Sequence, residues 1–239
     1  MTDNPVWAMQ IVANLVPGFE PTYEDLCETT ATAVAKLLAS PWAKDEWAEA
    51  IQQWKADGRS DGSSGEPSSL GLIRKHVRRA RHIAWERALA TGDHIQACSR
   101  DISRPAMVAA FVPCRMDELP KDLARLQMAG LELEHRDYAR TGDIGNLEID
   151  INPHAGLSAG KAAAAAAHAA QYALESLPGE DLRLWTQQGH PVRVRVPSSE
   201  HWEYSLEHNV AKVVDAGLTE NTTGICTAVA LGVDTFKPR

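Results

Sequence analysis

Two side chains that could do chemistry stand in an alanine-rich stretch at residues 157–177, LSAGKAAAAAAHAAQYALESL: Lys161 and His168. Seven residues separate them, so on a helix they share one face at roughly 10 Å along the axis. Because that distance is too long for both to contact one reacting atom, we expect separate roles. Lys161, at the helix start, could stabilise a phosphate or a developing oxyanion. His168 lies deeper, where a buried, hydrogen-bonded structural histidine is the favoured interpretation.

The turn that precedes this helix, GLSAGKA (156–162), is similar in kind to a phosphate-binding loop. It is one residue short, and Ala162 stands where a nucleotide triphosphatase has its metal-binding Ser or Thr, which excludes that class. The N–H groups at a helix start still attract anions, and Ser158 is the expected N-cap. The alternative for Lys161 is a solvated lysine in a first helical turn.

The elements around this helix predict an α/β fold. NLEIDINP (146–153) alternates as a strand does, and Pro178 and Gly179 end the alanine helix, expected over 159–176. Further along we expect helices over 180–189 and 198–209, and strands over 191–197, 211–217 and 224–233. The predicted architecture is a three-layer α/β/α fold on a small mixed four-stranded sheet.

The first part of the chain opens in the same way, with a strand, a long helix and a Trp-containing short helix. This order predicts a degenerate tandem duplication with a boundary near ARTGDIG (139–145), hence domains 1–143 and 144–239. In this interpretation residues 109–137 match residues 192–217. The alternative is that α/β chains look alike at this coarse level. The elements expected in the first domain are a strand (6–15), helices (22–41, 45–58), a flexible loop (58–69), a helix (70–90), strands (94–100, 106–112), a helix (117–130) and a strand (131–137).

The predicted helix over 70–90 is amphipathic and has a basic outer face. Ile73, Val77 and Ala80 form its apolar stripe, and the basic row follows: Arg74, Arg78 and Arg81, with Lys75, Arg79 and His82 beside it. Contact with RNA phosphates is the functional interpretation, and a solvated face balanced by nearby acids is the alternative.

Composition excludes several function classes. The net charge of −8, from 24 basic and 32 acidic residues, argues weakly against nucleic acid but leaves a local basic patch possible. The four cysteines form no C-x-x-C pair, which indicates free thiols in a reducing cytoplasm. No secretion signal or membrane-length apolar run is visible. The H-E-x-x-H motif is absent, which argues against zinc, and a serine nucleophile is not expected.

Residues 146–239 resemble the type-2 peptidyl-tRNA hydrolase family. The resemblance is carried by GKAAAAAAHAA (160–170), a Trp-containing short helix closed by glycine, VRVRVP, DAGLTE and TAVALG, in that order. The family's helix motif is Gly-Lys-x-Ala-Ala-Gln-x-x-His-Ala, in which Ala165 replaces the Gln here. The first half keeps neither the Gly-Lys nor the His of that motif.

The resemblance implies metal-independent, cofactor-free cleavage of the ester that joins a peptide to the 3′ end of tRNA, a step of translation quality control. The catalytic residues it implies are Lys161, Asp215, Thr219, Thr227 and His168. Asp215 would orient Lys161 or the attacking water, and the two threonines would be hydrogen-bonding groups. The expected substrate-binding residues are Ser158, Gly160 and Gly217, with Arg74, Lys75, Arg78 and Arg81 for tRNA.

Two other functions stay open. One is a catalytically weak or inactive RNA- or protein-binding relative of the family, which Ala165 favours. The other is a structural pairing domain whose alanine helix packs on a second copy, as a pseudo-dimer within one chain or a homodimer.

Overall fold

The structure is a computed structural model that describes residues 5–57, 73–101, 103–128, 131–136, 144–214 and 224–234. The first sheet has strands β1 (Trp7–Asn14), β2 (Arg74–Ala80), β3 (His94–Cys98) and β4 (Met107–Phe111), with the short β5 (Cys114–Arg115) beside β1. The second sheet has β6 (Leu147–Ile151), β7 (Val192–Arg195), β8 (Ala211–Val214) and β9 (Cys226–Val233). The helices are α1 (Tyr23–Ala39), α2 (Ala48–Asp57), α3 (Ile83–Leu89), α4 (Lys121–Ala124), α5 (Ala159–Ser176), α6 (Gly179–Gln187) and α7 (Ser199–Glu207).

The two sheets have the same topology. The first has the order β2-β1-β4-β3 and the second the order β7-β6-β9-β8. In the first sheet β1 is parallel to β2 and antiparallel to β4. In the second sheet β6 is likewise parallel to β7 and antiparallel to β9. The predicted duplicated α/β architecture is therefore confirmed, with each repeat running strand, two helices, strand, helix, two strands.

The two long helices, α1 and α5, pack against each other between the sheets. Each also crosses to the other repeat: α1 contacts β7, and α5 contacts β2. The alanines of α5 permit this close approach, because most of them are fully buried in one core shared with α1. On the outer faces, Trp85 of α3 and Trp202 of α7 are buried, so each sheet has helices on both sides.

Local sequence signals explain where several helices begin. Thr22 caps α1 by accepting a hydrogen bond from the N–H of Asp25, and Ser198 caps α7 by accepting one from the N–H of His201. Ser158 holds the N-cap position of α5, but its side chain forms no capping hydrogen bond with a described residue. None of the described helices has the length and apolarity to cross a membrane.

The predicted helix over 70–90 is wrong. Among the described residues of this range, 74–80 form β2, parallel to β1, and only 83–89 are helical. The physical reason is a period of two: Ile73, Lys75 and Val77 are all buried, as alternate residues of a strand facing one layer would be. The match of residues 109–137 with 192–217 fails for the same reason, because the strand that corresponds to β7 is β2.

Two further predictions in the first repeat are wrong. The helix expected over 117–130 is reduced to a 3₁₀ turn and the four-residue α4, since Pro120 interrupts the segment. The strand expected over 131–137 does not form over the described residues 131–136, which belong to neither sheet. The loop expected over 58–69 lies outside the described residues, as do most of the positions expected at the repeat boundary.

Candidate functional site

One edge of the second sheet brings together the elements that carry most of the predicted catalytic residues. At this edge β6 and β8 end and β9 begins, because Ile151 pairs with Ala228 and Val214 pairs with Cys226. A seven-residue loop leads from β6 to α5, which runs back over the sheet with Lys161 in its first turn. Lys161 and Thr227 therefore lie on elements that meet at this edge. Asp215, Gly217 and Thr219, which follow β8 in the sequence, lie outside the described residues.

Thr227 is buried at the start of β9. Its Oγ1 donates a hydrogen bond to the carbonyl of Val213, at 3.3 Å. The backbone N–H of Asn152 donates to the carbonyl of Thr227 at 3.0 Å, and the Asn152 side-chain amide donates to the carbonyl of Cys226 at 2.8 Å. These hydrogen bonds join the ends of β6 and β8 to the start of β9, so the backbone at this edge of the sheet has a fixed geometry.

The start of α5 is covered by the first repeat. The N–H of Ala159 donates to the carbonyl of Leu131 at 3.3 Å, and the buried Gly160 lies against the carbonyl of Met128. One N–H group of the predicted anion site is thus already bonded within the protein. Lys161 is half-buried beside this contact.

His168 is hydrogen-bonded in the interior, away from the start of α5. Its Nδ1 lies 2.8 Å from the Nζ of Lys75, which comes from β2 of the first repeat. Burial, and secondly the charge of Lys75, lower the pKa of His168 well below its usual value. His168 therefore contacts Lys75 and not Lys161, and His168 is not among the groups at the sheet edge.

Lys75 is a buried lysine whose role the sequence analysis missed. Its Nζ also donates to Oε1 of Gln171, at 2.5 Å, and lies 4.8 Å from the ring centroid of Trp54. Burial lowers the pKa of Lys75 well below its usual value, with a further lowering by Lys55. The signal that could have found it is the alternation of Ile73, Lys75 and Val77, which directs Lys75 inward.

The helical basic row predicted for tRNA contact is not formed, because its members are distributed over both faces of the strand β2 and the turn after it. Arg74 forms an ion pair with Asp57 at 3.1 Å. Arg78 is buried on the opposite face of β2 from Lys75, and its Nε donates to Oε1 of Gln10 at 2.6 Å. Arg81 is the exposed member of the four. A strand sends neighbouring side chains to opposite faces, so the row that a helix would have formed does not exist.

A Ser, His and Asp cluster lies under α7 on the outer face of the second sheet. Asp150 is fully buried, and it accepts hydrogen bonds from Ser205 Oγ at 2.6 Å and from Arg195 Nε at 2.9 Å. His201 Nε2 lies 3.4 Å from the same carboxylate. Because Ser205 is fully buried and bonds directly to the carboxylate, it is not activated by a histidine. The cluster anchors α7 to β6.

Within the described ranges, no three His, Cys, Asp or Glu side chains lie close enough together to hold a metal ion. Comparison of the chain with protein-family models, with curated proteins and with solved structures finds no match.

Proposed function

We propose that the protein hydrolyses the ester between a peptide and the 3′ end of tRNA in the cytoplasm, at the edge of the second sheet where β6 and β8 end. The observation that carries this proposal is the meeting of the first turn of α5, the end of β8 and the start of β9 at that edge. These elements carry Lys161 and Thr227, and the chain passes from β8 directly to Asp215. The resemblance of residues 146–239 to type-2 peptidyl-tRNA hydrolases supports the same site.

In this reaction a water oxygen attacks the ester carbonyl carbon, and the bond to the ribose oxygen breaks. Lys161 stabilises the negative charge that develops on the carbonyl oxygen. Asp215 orients Lys161 or the attacking water, and Thr219 and Thr227 hydrogen-bond the ester or the water. His168 is a positioning residue, since it holds α5 to β2 through Lys75.

A second candidate function is binding of RNA or protein without turnover. Two observations favour it. The N–H of Ala159 is bonded to Leu131, which covers part of the helix start where an oxyanion would lie. Ala165, in place of the motif glutamine, is buried in the core between the repeats and offers no amide.

The deciding experiment is an assay of ester cleavage on N-blocked aminoacyl-tRNA with the full chain. We expect turnover that EDTA does not change and that falls about 100-fold or more in Lys161→Ala and Asp215→Ala, the scale found when one transition-state contact is removed. Lys44→Ala is the control, because Lys44 is an exposed lysine outside the site. Tight tRNA binding with no turnover would establish RNA binding as the function, and the absence of both activities would refute both ester hydrolysis and tRNA binding.

A further inference from the structure

The strand β3 lies at one side of the first sheet, and its outer edge pairs with no other strand in the described part of the chain. On its inner side, the N–H of Val112 donates to the carbonyl of Asp93 at 3.0 Å, and the N–H of Ser99 donates to the carbonyl of Ala106 at 2.8 Å. Because bonded pairs alternate in an antiparallel ladder, residues 93, 95, 97 and 99 bond to β4. The N–H and C=O groups of residues 94, 96 and 98 therefore point away from the sheet.

The other three outer strands are protected in ways that β3 is not. In β2 the N–H of Arg79 donates to the carbonyl of Gln127 at 2.9 Å. In β7 the N–H of Val194 donates to the carboxylate of Glu28 at 3.1 Å. The strand β8 has only four residues and exposes Lys212, a residue type that opposes strand addition. The sequence of β3, HIQAC, contains no charged residue and no proline, so this edge can accept another strand.

An exposed tryptophan lies beside the start of this edge. Trp42 is 49% exposed, and its ring centroid lies 5.3 Å from that of Trp47. The Nε1 of Trp47 donates at 3.2 Å to the carboxylate of Asp93, the residue that precedes β3. Tryptophan is enriched among the residues that contribute most to protein interfaces. The outer edge of β3 and Trp42 together are called the β3 surface below.

We propose that the β3 surface pairs with the β3 surface of a second copy of the chain, in an antiparallel homodimer whose twofold axis passes at Gln96. In this register His94 faces Cys98 of the second copy, and the outward groups of residues 94, 96 and 98 bond across the interface. The alanine face of α5 is not available for pairing between chains, because α1 covers it within one chain. The homodimer does not depend on the proposed ester hydrolysis.

The charges that flank β3 favour a second copy in this orientation. Asp93 precedes the strand, Arg100 follows it by two residues, and both are exposed. Antiparallel pairing places Asp93 of each copy beside Arg100 of the other, where that guanidinium can also contact the ring of Trp42. Parallel pairing would place Asp93 opposite Asp93 and Arg100 opposite Arg100, which is destabilising. The β3 surface is therefore complementary to itself when the strands are antiparallel.

The test is the mass of the full chain in solution, measured by sedimentation velocity over a series of concentrations. We expect the wild type to shift from monomer to dimer as the concentration rises. Gln96→Pro should weaken dimerisation about 10-fold or more, because the twofold axis makes the loss of one outward N–H the loss of two hydrogen bonds. The ladder with β4 does not use this N–H, so the fold is kept. Gln96→Ala keeps the N–H and is the matched control, expected to dimerise as the wild type does.

Two further variants test the tryptophan and the register. Trp42→Ala should also weaken dimerisation about 10-fold or more, whereas Phe19→Ala, which removes an aromatic ring of similar exposure outside the β3 surface, should not. Gln96→Cys should form a disulfide-linked dimer under mild oxidation, because the two copies of residue 96 face each other. The exposed Cys98 of the wild type should not, since the two copies of Cys98 are four residues out of register, about 13 Å apart.

A wild type that stays monomeric at every concentration overturns the proposal. So does a Gln96→Pro variant that dimerises as tightly as the wild type, since the contact would then not be made by the edge of β3. Cross-linking through Cys98 in place of Gln96→Cys would overturn the proposed register. If Gln96→Pro does not fold, as judged by circular dichroism, Trp42→Ala and Gln96→Cys decide.

Discussion

At the scale of single residues, Lys75 is the least expected feature of the molecule. The residue is 7% exposed, and the nearest polar partners of its amine, His168 and Gln171, are neutral acceptors. The ring of Trp54 offers some stabilisation to a cation. Without a bonded carboxylate, burial outweighs these contacts and disfavours the protonated form.

This burial predicts a pH dependence of stability. The pKa of Lys75 is lower in the folded than in the unfolded chain, so the unfolded chain binds more protons and the free energy of unfolding rises as the pH is raised from 7 towards 10. Lys75→Met, of similar volume, should lose this rise, as measured by urea unfolding at several pH values. Lys44→Met is the control, because Lys44 is an exposed lysine whose charge does not contribute to the lowered pKa of Lys75, and it should keep the rise. Equal slopes in the wild type and Lys75→Met would contradict the prediction.

His190 predicts a second dependence, at acidic pH. Its backbone has a φ of 60°, and its ring lies edge-on to Trp185 in the interior. Burial, and secondly the charge of Lys36, lower its pKa to about 4. The folded state therefore resists protonation, and stability is lost as the pH falls below about 6.5, by about 3 kcal/mol at pH 4.

The measurement compares the wild type with His190→Asn, because asparagine tolerates a positive φ and does not titrate. Urea unfolding between pH 7 and 4 should show a steeper loss of stability for the wild type. The prediction fails if the two proteins lose stability in parallel over this range.

At the scale of elements, residues 131–136 form a strap that joins the two repeats. The carbonyl of Leu131 accepts from the first N–H of α5, and the carbonyl of Glu134 accepts from the first N–H of α1, at 2.8 Å. At its end, the guanidinium of Arg136 lies 3.0 Å from both Asp25 and Glu28. The strap thus caps both central helices and fixes them to each other.

The ion pairs of Arg136 predict a large effect of its removal. The side chains of Arg136, Asp25 and Glu28 are 4%, 0% and 7% exposed, so Arg136→Ala leaves two buried carboxylates without this partner. We expect a loss of about 3–5 kcal/mol in the free energy of unfolding by urea. Arg104→Ala, which breaks an exposed pair with Glu134 in the same strap, should cost about 1 kcal/mol or less. Similar effects of the two substitutions would show that the buried pairs do not hold the strap.

Elements with one clear period were predictable from the sequence, and elements with mixed periods were not. The alanine helix was predicted at its observed bounds, 159–176, because capping and breaking residues flank a uniform run. In β2, charged residues occur on both faces, so the same sequence fits both the helical period of 3.6 residues and the strand period of 2 residues. The strap alternates apolar and charged residues as a strand does, but it belongs to neither sheet, because its position depends on bonds to two distant helices.

The same distinction applies to the candidate sites. Lys161 and Thr227 could be found because each belongs to a motif next to a strand or helix boundary. The contact of Lys75 with His168 joins residues 93 positions apart, and a cavity between the two repeats is lined by residues of α1 and of β7. Both depend on how the two repeats pack against each other, and the spacing of residues within one segment of the sequence does not predict that packing.

At the scale of the whole molecule, one core runs through both repeats. Leu26 and Val34 of α1 belong to the same buried cluster as Ala166 and Ala170 of α5 and as Ile149 of β6. Each central helix lies between its own sheet and the other repeat. Separating the repeats would expose the apolar faces of both helices at once.

This shared core predicts that the repeats fold together. Residues 144–239 expressed alone should lack a stable fold, because α5 would expose the alanine face that α1 covers and would lose the cap from Leu131. The intact chain should unfold in one urea transition, with tryptophan fluorescence and far-UV circular dichroism coinciding. Mixing fragments 1–143 and 144–239 should restore dispersed amide signals in the NMR spectrum of the labelled second fragment. A second fragment that gives such a spectrum alone, or two separated transitions in the intact chain, would show instead that each repeat carries its own sufficient core.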